Sequence, residues 1–160
     1  MSEEITTFEA ALARNGSIAF TNVGVSMKPL IRQGRDVMRI EALGDRPVRK
    51  YDAVLFRRPG VQGRGEYVLH RVLKCRKDGR FWIVGDNCTE GEIVPRENIL
   101  GVLTAVSRAG KLVRVTDFSY RMYLVFWCKP YHLRFLGLRI RRFFKRAIYR
   151  ARGKKKERNS

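Results

Sequence analysis

This chain is poor in histidine, in cysteine, in long apolar runs and, over its last forty residues, in acid. Each shortage excludes something. Cys75, Cys88 and Cys128 are odd in number and widely spaced, which argues against a disulfide framework and fits a reducing compartment. Two histidines and no cysteine pair leave no zinc-ligand pattern, so neither a metal nor a cofactor is expected. The longest apolar run, residues 122–128, lies between Arg121 and Lys129 and falls far short of the roughly 20 residues of a membrane-crossing helix. Glu3, Glu4 and Glu9 stand near the start, with no basic stretch leading into an apolar one, so no signal peptide is expected.

What remains describes one folded body. Hydrophobic residues at 44% and charged residues at 31% suit a single domain with a proper core. The net charge of +19 is unevenly spread. Residues 1–120 hold 20 Lys/Arg against 14 Asp/Glu, whereas residues 121–160 hold 14 against one. The basicity therefore belongs to the tail. The expected organisation is a body over 1–117, a basic amphipathic helical tail over 118–150 and a disordered basic end over 151–160.

The pattern predicts a short helix over 3–14, ended by Asn15-Gly16, then a strand over 17–23. Pro29 forbids an ordinary central strand just beyond, so the stretch around Ser26 should be a turn or the opening of a short helix. Strands follow over 37–43 and 53–57, with a glycine-rich loop over 60–65. Residues 67–74 and 80–84 form a hairpin about Asp78-Gly79, and 100–106 and 111–115 another about Ala109-Gly110. Repeated short strands with glycine turns indicate a mostly β body, α+β in class, with coiled antiparallel sheets. Pro130 divides two helical pieces, 119–128 and 132–150. In the second, Leu133, Leu136, Ile140, Phe143, Phe144, Ala147 and Ile148 recur at helical spacing among arginines.

Three short stretches carry residue types that acyl transfer needs. Ser26 is a candidate nucleophile, which requires a base within hydrogen-bond reach. His70 supplies an imidazole suited to that task. In a strand it shares a face with Val68 and Val72, which also suits a plain core histidine. Asp86 and Glu92, read as turn residues after the first hairpin, could each accept the second imidazole proton. Gly85-Asp86-Asn87 is equally a good turn sequence. Singly, each stretch is ordinary; their order along the chain is not.

In that order they resemble the serine peptidase clan of type I signal peptidases and LexA-type self-cleaving repressors. The similarity covers about Gly24 to Gly101, and is nearest to the signal peptidases with a histidine base. Ser26-Met27-Lys28-Pro29 matches the nucleophile box Ser-Met-x-Pro. Residues 34–40 resemble the Gly-Asp strand that follows it, with Arg35 inserted before Asp36. Tyr51-Asp52-Ala53-Val54 resembles a strand written Gly-Asp-Ile-Val, and His70-Arg71-Val72 falls on the base box. Gly85-Asp86-Asn87 matches the Gly-Asp-Asn box, and Ile99-Leu100-Gly101 the closing strand.

The resemblance implies a Ser/His endopeptidase that cleaves an extended peptide after small residues, the peptide pairing with a strand edge. Gly24, Met27 and Pro29 would line the substrate and oxyanion side. The third member stays open among Asp86, Glu90 and Glu92; counting back from Pro95, Glu92 takes the place of the relatives' aspartate. Where some relatives have an oxyanion serine two residues before the nucleophile, this chain has Gly24, so backbone N–H groups would serve. The membrane span of relatives has no counterpart here. Two other classes stand beside the enzyme: a self-cleaving regulator, weakened by the short segment before Ser26 and the absence of lysine at position 70, and a catalytically silent peptide-binding module.

The tail reads as a packing helix, as a nucleic-acid contact lacking a known reading motif, or as an in-plane membrane helix. Phe126, Trp127, Phe135, Phe143 and Phe144 with a basic face favour an anionic membrane surface, reached from the cytoplasmic side.

Overall fold

A computed structural model describes residues 7–21, 23–58 and 66–157, with side chains to 148. The expected 60–65 loop lies outside the described residues, as do residues 3–6 of the first helix. The protein is α+β: an open antiparallel sheet of eight strands, with three α-helices among the described residues.

Helix α1 (Phe8–Asn15) begins at Thr7, whose hydroxyl accepts from Ala10 N–H, and ends at Gly16 in the left-handed conformation (φ 69°). Strand β1 (Ser17–Thr21) pairs with β2 (Val37–Ala42), and β2 with β7 (Ile99–Arg108). One edge of β7 meets two strands in turn: β3 (Ala53–Arg58) over its first half and β8 (Lys111–Arg114) over its second. From β3 the sheet continues through β4 (Glu66–Cys75) and β5 (Phe81–Val84) to β6 (Gly91–Val94). Both expected hairpins are present, β4–β5 and β7–β8.

The centre of the sheet is buried on both faces. Along β3, Ala53 and Leu55 face one core with Met27, Ile31, Met38, Ile40 and Leu103, while Val54 and Phe56 face another with Val72, Ile83, Val94 and Ile99. A strand covered on both sides reads as a continuous apolar run, which is how Ala-Val-Leu-Phe reads. Tyr51, just before β3, takes a left-handed φ of 74° that favours glycine, and its carbonyl accepts from Arg71.

Two elements depart from the sequence reading. Residues 91–94, expected as turn, form edge strand β6; at four residues it is too short for alternation to show. Residues 119–128 are not one α-helix. Helix α2 (Phe118–Tyr123) widens into a π-helical stretch, Leu124–Cys128, closed by Lys129 N–H to the Leu124 carbonyl at 2.8 Å. That widening aims Tyr123, Trp127 and Cys128 at Asp86, a bonus tertiary contact that local spacing cannot reveal. Helix α3 (Tyr131–Glu157) follows, its backbone running past Arg150.

Candidate active site

The turn bearing Ser26 is fixed from both ends. Met27, fully buried, plugs it into the first core, and Ile31 N–H closes on the Met27 carbonyl at 3.0 Å. Met27 is therefore a packing residue in this fold: its side chain lies wholly inside the first core, where the resemblance implies a place on the substrate and oxyanion side. On the outside, Asn87 N–H donates to the Ser26 carbonyl (2.7 Å), and the Asn87 amide to the Val25 carbonyl (3.2 Å). Ser26 itself is half-buried. The Lys28–Pro29 peptide is cis, and Pro29 is exposed. Gly24, at φ 149°, holds a backbone conformation that side chains rarely adopt, which accounts for glycine rather than serine there. None of the turn's own backbone bonds uses the N–H of Ser26 or Met27.

His70 stands on β4 opposite Val54 of β3, on the face of the second core, with its ring 6.2 Å from that of Phe56. It is 8% exposed. Its two nitrogens differ. Nδ1 is sealed without a hydrogen bond and lies 3.7 Å from Glu92 Oε1. Nε2 points at Gly85. A Cβ on Gly85 would sit 3.0 Å from His70 Nε2, 2.8 Å from the Ser26 carbonyl oxygen and 2.9 Å from Cys88 Sγ. The Ser26 backbone and the His70 imidazole thus converge on one glycine, which is the residue the Gly85-Asp86-Asn87 turn needs there. No hydrogen bond joins the Ser26 hydroxyl to His70 here. Such contacts are often long without substrate and tighten in the complex.

The two candidate carboxylates separate. Glu92, on β6, is gripped by Arg58 through Nε (2.7 Å) and Nη2 (2.6 Å), and faces the imidazole. Asp86 is fully buried and turned away, accepting from Arg71 at 2.8 and 2.7 Å and from Tyr123 at 2.8 Å. Arg134 of α3 approaches it at 3.5 Å, and Trp127 donates to its carbonyl at 3.1 Å. Asp86 is therefore the clasp between β4 and the C-terminal helices, and Glu92 is the carboxylate beside Nδ1. Glu90, the remaining alternative, is exposed just before β6.

Burial pushes the His70 pKa below its ordinary value, against the pull of Glu92; the Arg58 cation pushes the same way as burial. The ring is then neutral at pH 7, the form a general base requires. Burial also raises the Cys88 thiol, so the sulfur beside the imidazole is no thiolate near neutrality. Beside the Ser26 turn opens a cleft of about 890 Å³, lined by Lys28, Pro29, Arg32, Asn87, Trp127 and Arg141. Among the described residues no group of acidic, histidine and cysteine side chains could hold a metal.

Arg58, Arg71 and Cys88 escaped sequence reasoning as parts of this region. The only available sign for Arg58 was a charged end on an otherwise apolar strand. Arg71 simply followed His70, and its opposite-facing partner lies 15 residues on. The chain matches no protein-family model, no curated protein and no solved structure.

Proposed function

We propose that the protein is a serine endopeptidase of the signal-peptidase kind, with Ser26 as nucleophile, His70 as base and Glu92 as the carboxylate that orients His70. One observation carries the reading: His70 Nε2 and the Ser26 backbone meet at Gly85, with Glu92 behind Nδ1. Ser26 Oγ would attack the scissile carbonyl of an extended peptide, passing its proton to Nε2. The growing imidazolium would be stabilised by Glu92, and the oxyanion by backbone N–H groups of the Ser26 turn. His70 would return the proton to the leaving amine, and water would resolve the ester. Small residues before the cleaved bond are the expected preference.

The missing bond between the Ser26 hydroxyl and His70 favours a second reading, a peptide-binding module of the same architecture without turnover. A peptide-library cleavage assay separates the two. The wild-type chain is expected to cleave, and Ser26→Ala and His70→Ala to lose turnover by roughly 10²-fold or more while staying folded. Binding without cleavage in all three would establish the module; equal cleavage in all three would remove the serine mechanism.

A further inference from the structure

The outer side of α3 is an apolar stripe that none of the described residues covers. Leu133, Leu136, Ile140, Phe143, Phe144 and Ile148 follow one another at intervals of three and four, apart from the Phe143–Phe144 pair, and Leu133 and Phe143 are 72% and 68% exposed. The stripe runs for roughly 23 Å at the helical rise of about 1.5 Å per residue. The opposite side binds the body: Leu138 is buried, Phe135 packs edge-on against Trp82 at 6.2 Å, and Arg142 donates to the Thr89 hydroxyl at 2.9 Å. Leu138 and Ile140 are about 160° apart around the axis, so the free stripe looks directly away from the sheet. By the same geometry Arg139 and Arg146 lie along one border of the stripe, and Arg141 and Lys145 along the other.

An apolar strip between two rows of cations selects its cover. A second copy would oppose like charges, since residues 121–160 carry 14 Lys/Arg against one Glu. A nucleic acid would satisfy the arginines but would leave six large apolar side chains in water. No helix among the described residues is long and apolar enough to cross a membrane. We infer that α3 seats the protein in the plane of an anionic lipid surface, the stripe entering the acyl boundary and the flanking cations meeting headgroups. Because Arg141 and Lys145 share a pocket with Val25, Lys28 and Asn87, the seated helix brings the Ser26 turn alongside the lipid surface. The inference stands whether or not the chain proves to be a peptidase.

Flotation of the full chain with vesicles tests it, comparing pure phosphatidylcholine with a mixture holding about 30 mol% phosphatidylserine, within the anionic range of cytoplasmic leaflets. The protein is expected to float with the anionic vesicles and to stay below with the neutral ones. Ile140→Glu/Phe143→Glu/Phe144→Glu, on exposed positions, is expected to abolish flotation while the melting temperature holds. Arg139→Glu/Arg146→Glu is expected to weaken flotation several-fold. Protein remaining soluble with anionic vesicles, or flotation indifferent to the triple variant, overturns the inference. So does tight binding to duplex RNA with no flotation, which would make the basic face a nucleic-acid contact.

Discussion

Asp86 and Glu92 sit six residues apart, one in the turn after β5 and the other on β6, and both are candidates, with Glu90, to orient His70. Their surroundings give them different ones. Asp86 is taken wholly out of water, where an ion survives only if every lone pair is met; Arg71, Tyr123 and the approaching Arg134 meet them. Glu92 keeps 31% of its side chain exposed and is held by one arginine, itself partly exposed. A carboxylate of the first kind is committed to the fold, because moving it uncovers buried charge. A carboxylate of the second kind can tolerate a changing charge beside it, which is what an imidazole taking a proton presents. The acid in the Gly85-Asp86-Asn87 turn is the clasp, and the acid on the late edge strand faces the imidazole.

Removing one partner from each site should break the two apart. Arg71→Met strands Asp86 among buried groups and is expected to destabilise the fold by about 3–5 kcal/mol, read by chemical denaturation. Glu92→Gln should shift stability by no more than about 1 kcal/mol, since its ion pair is partly exposed, yet lower kcat about tenfold or more. If Glu92→Gln unfolds the protein and Arg71→Met spares it, the assignment of roles is inverted. A single added methyl tests where the two sites join. Gly85→Ala drives a methyl into the Ser26 carbonyl, Cys88 Sγ and His70 Nε2, all at 3.0 Å or less. Overpacking of that kind amounts to about 1–3 kcal/mol. The expected outcome is a fold that survives with turnover largely lost; full activity in Gly85→Ala would deny that Ser26 and His70 meet there.

How much of this was legible beforehand follows from which interactions are local. Both hairpins could be read because Asp78-Gly79 and Ala109-Gly110 are turn signals in themselves, and the helix end at Asn15-Gly16 likewise. The Ser26 turn followed from Pro29. Strand β6 was invisible because four residues show no period, and with it went the placement of Glu92. The π-helical stretch was invisible because its geometry serves Asp86, nearly 40 residues away in sequence. Arg58 and Arg71 could not be told from the many other arginines of this basic chain. What separates them is the carboxylate each one finds in space. The exposed stripe of α3 was plain in its spacing, although spacing alone does not say which face the body takes.

The least of the expected effects is also the one that reads His70 directly. Burial, aided by the Arg58 cation and opposed by Glu92, lowers the folded-state pKa of His70 below the ordinary value near 6.5. Between the lowered value and about 6.5 the unfolded chain binds a proton that the folded chain does not. Stability therefore rises with pH across that window: the contribution is fully present above about 6.5 and is lost as pH falls through the window toward the lowered pKa. The slope for one proton is at most about 1.4 kcal/mol per pH unit. The acid limb of kcat/KM should accordingly lie below pH 6.5, because the neutral base persists there. Two variants then pull in opposite directions. Glu92→Gln removes a nearby anion and should move the limb lower, whereas Arg58→Met removes a cation and should move it higher. Limbs that shift together, or a wild-type limb above 6.5, would mean that the titrating base is not an imidazole held between these two charges.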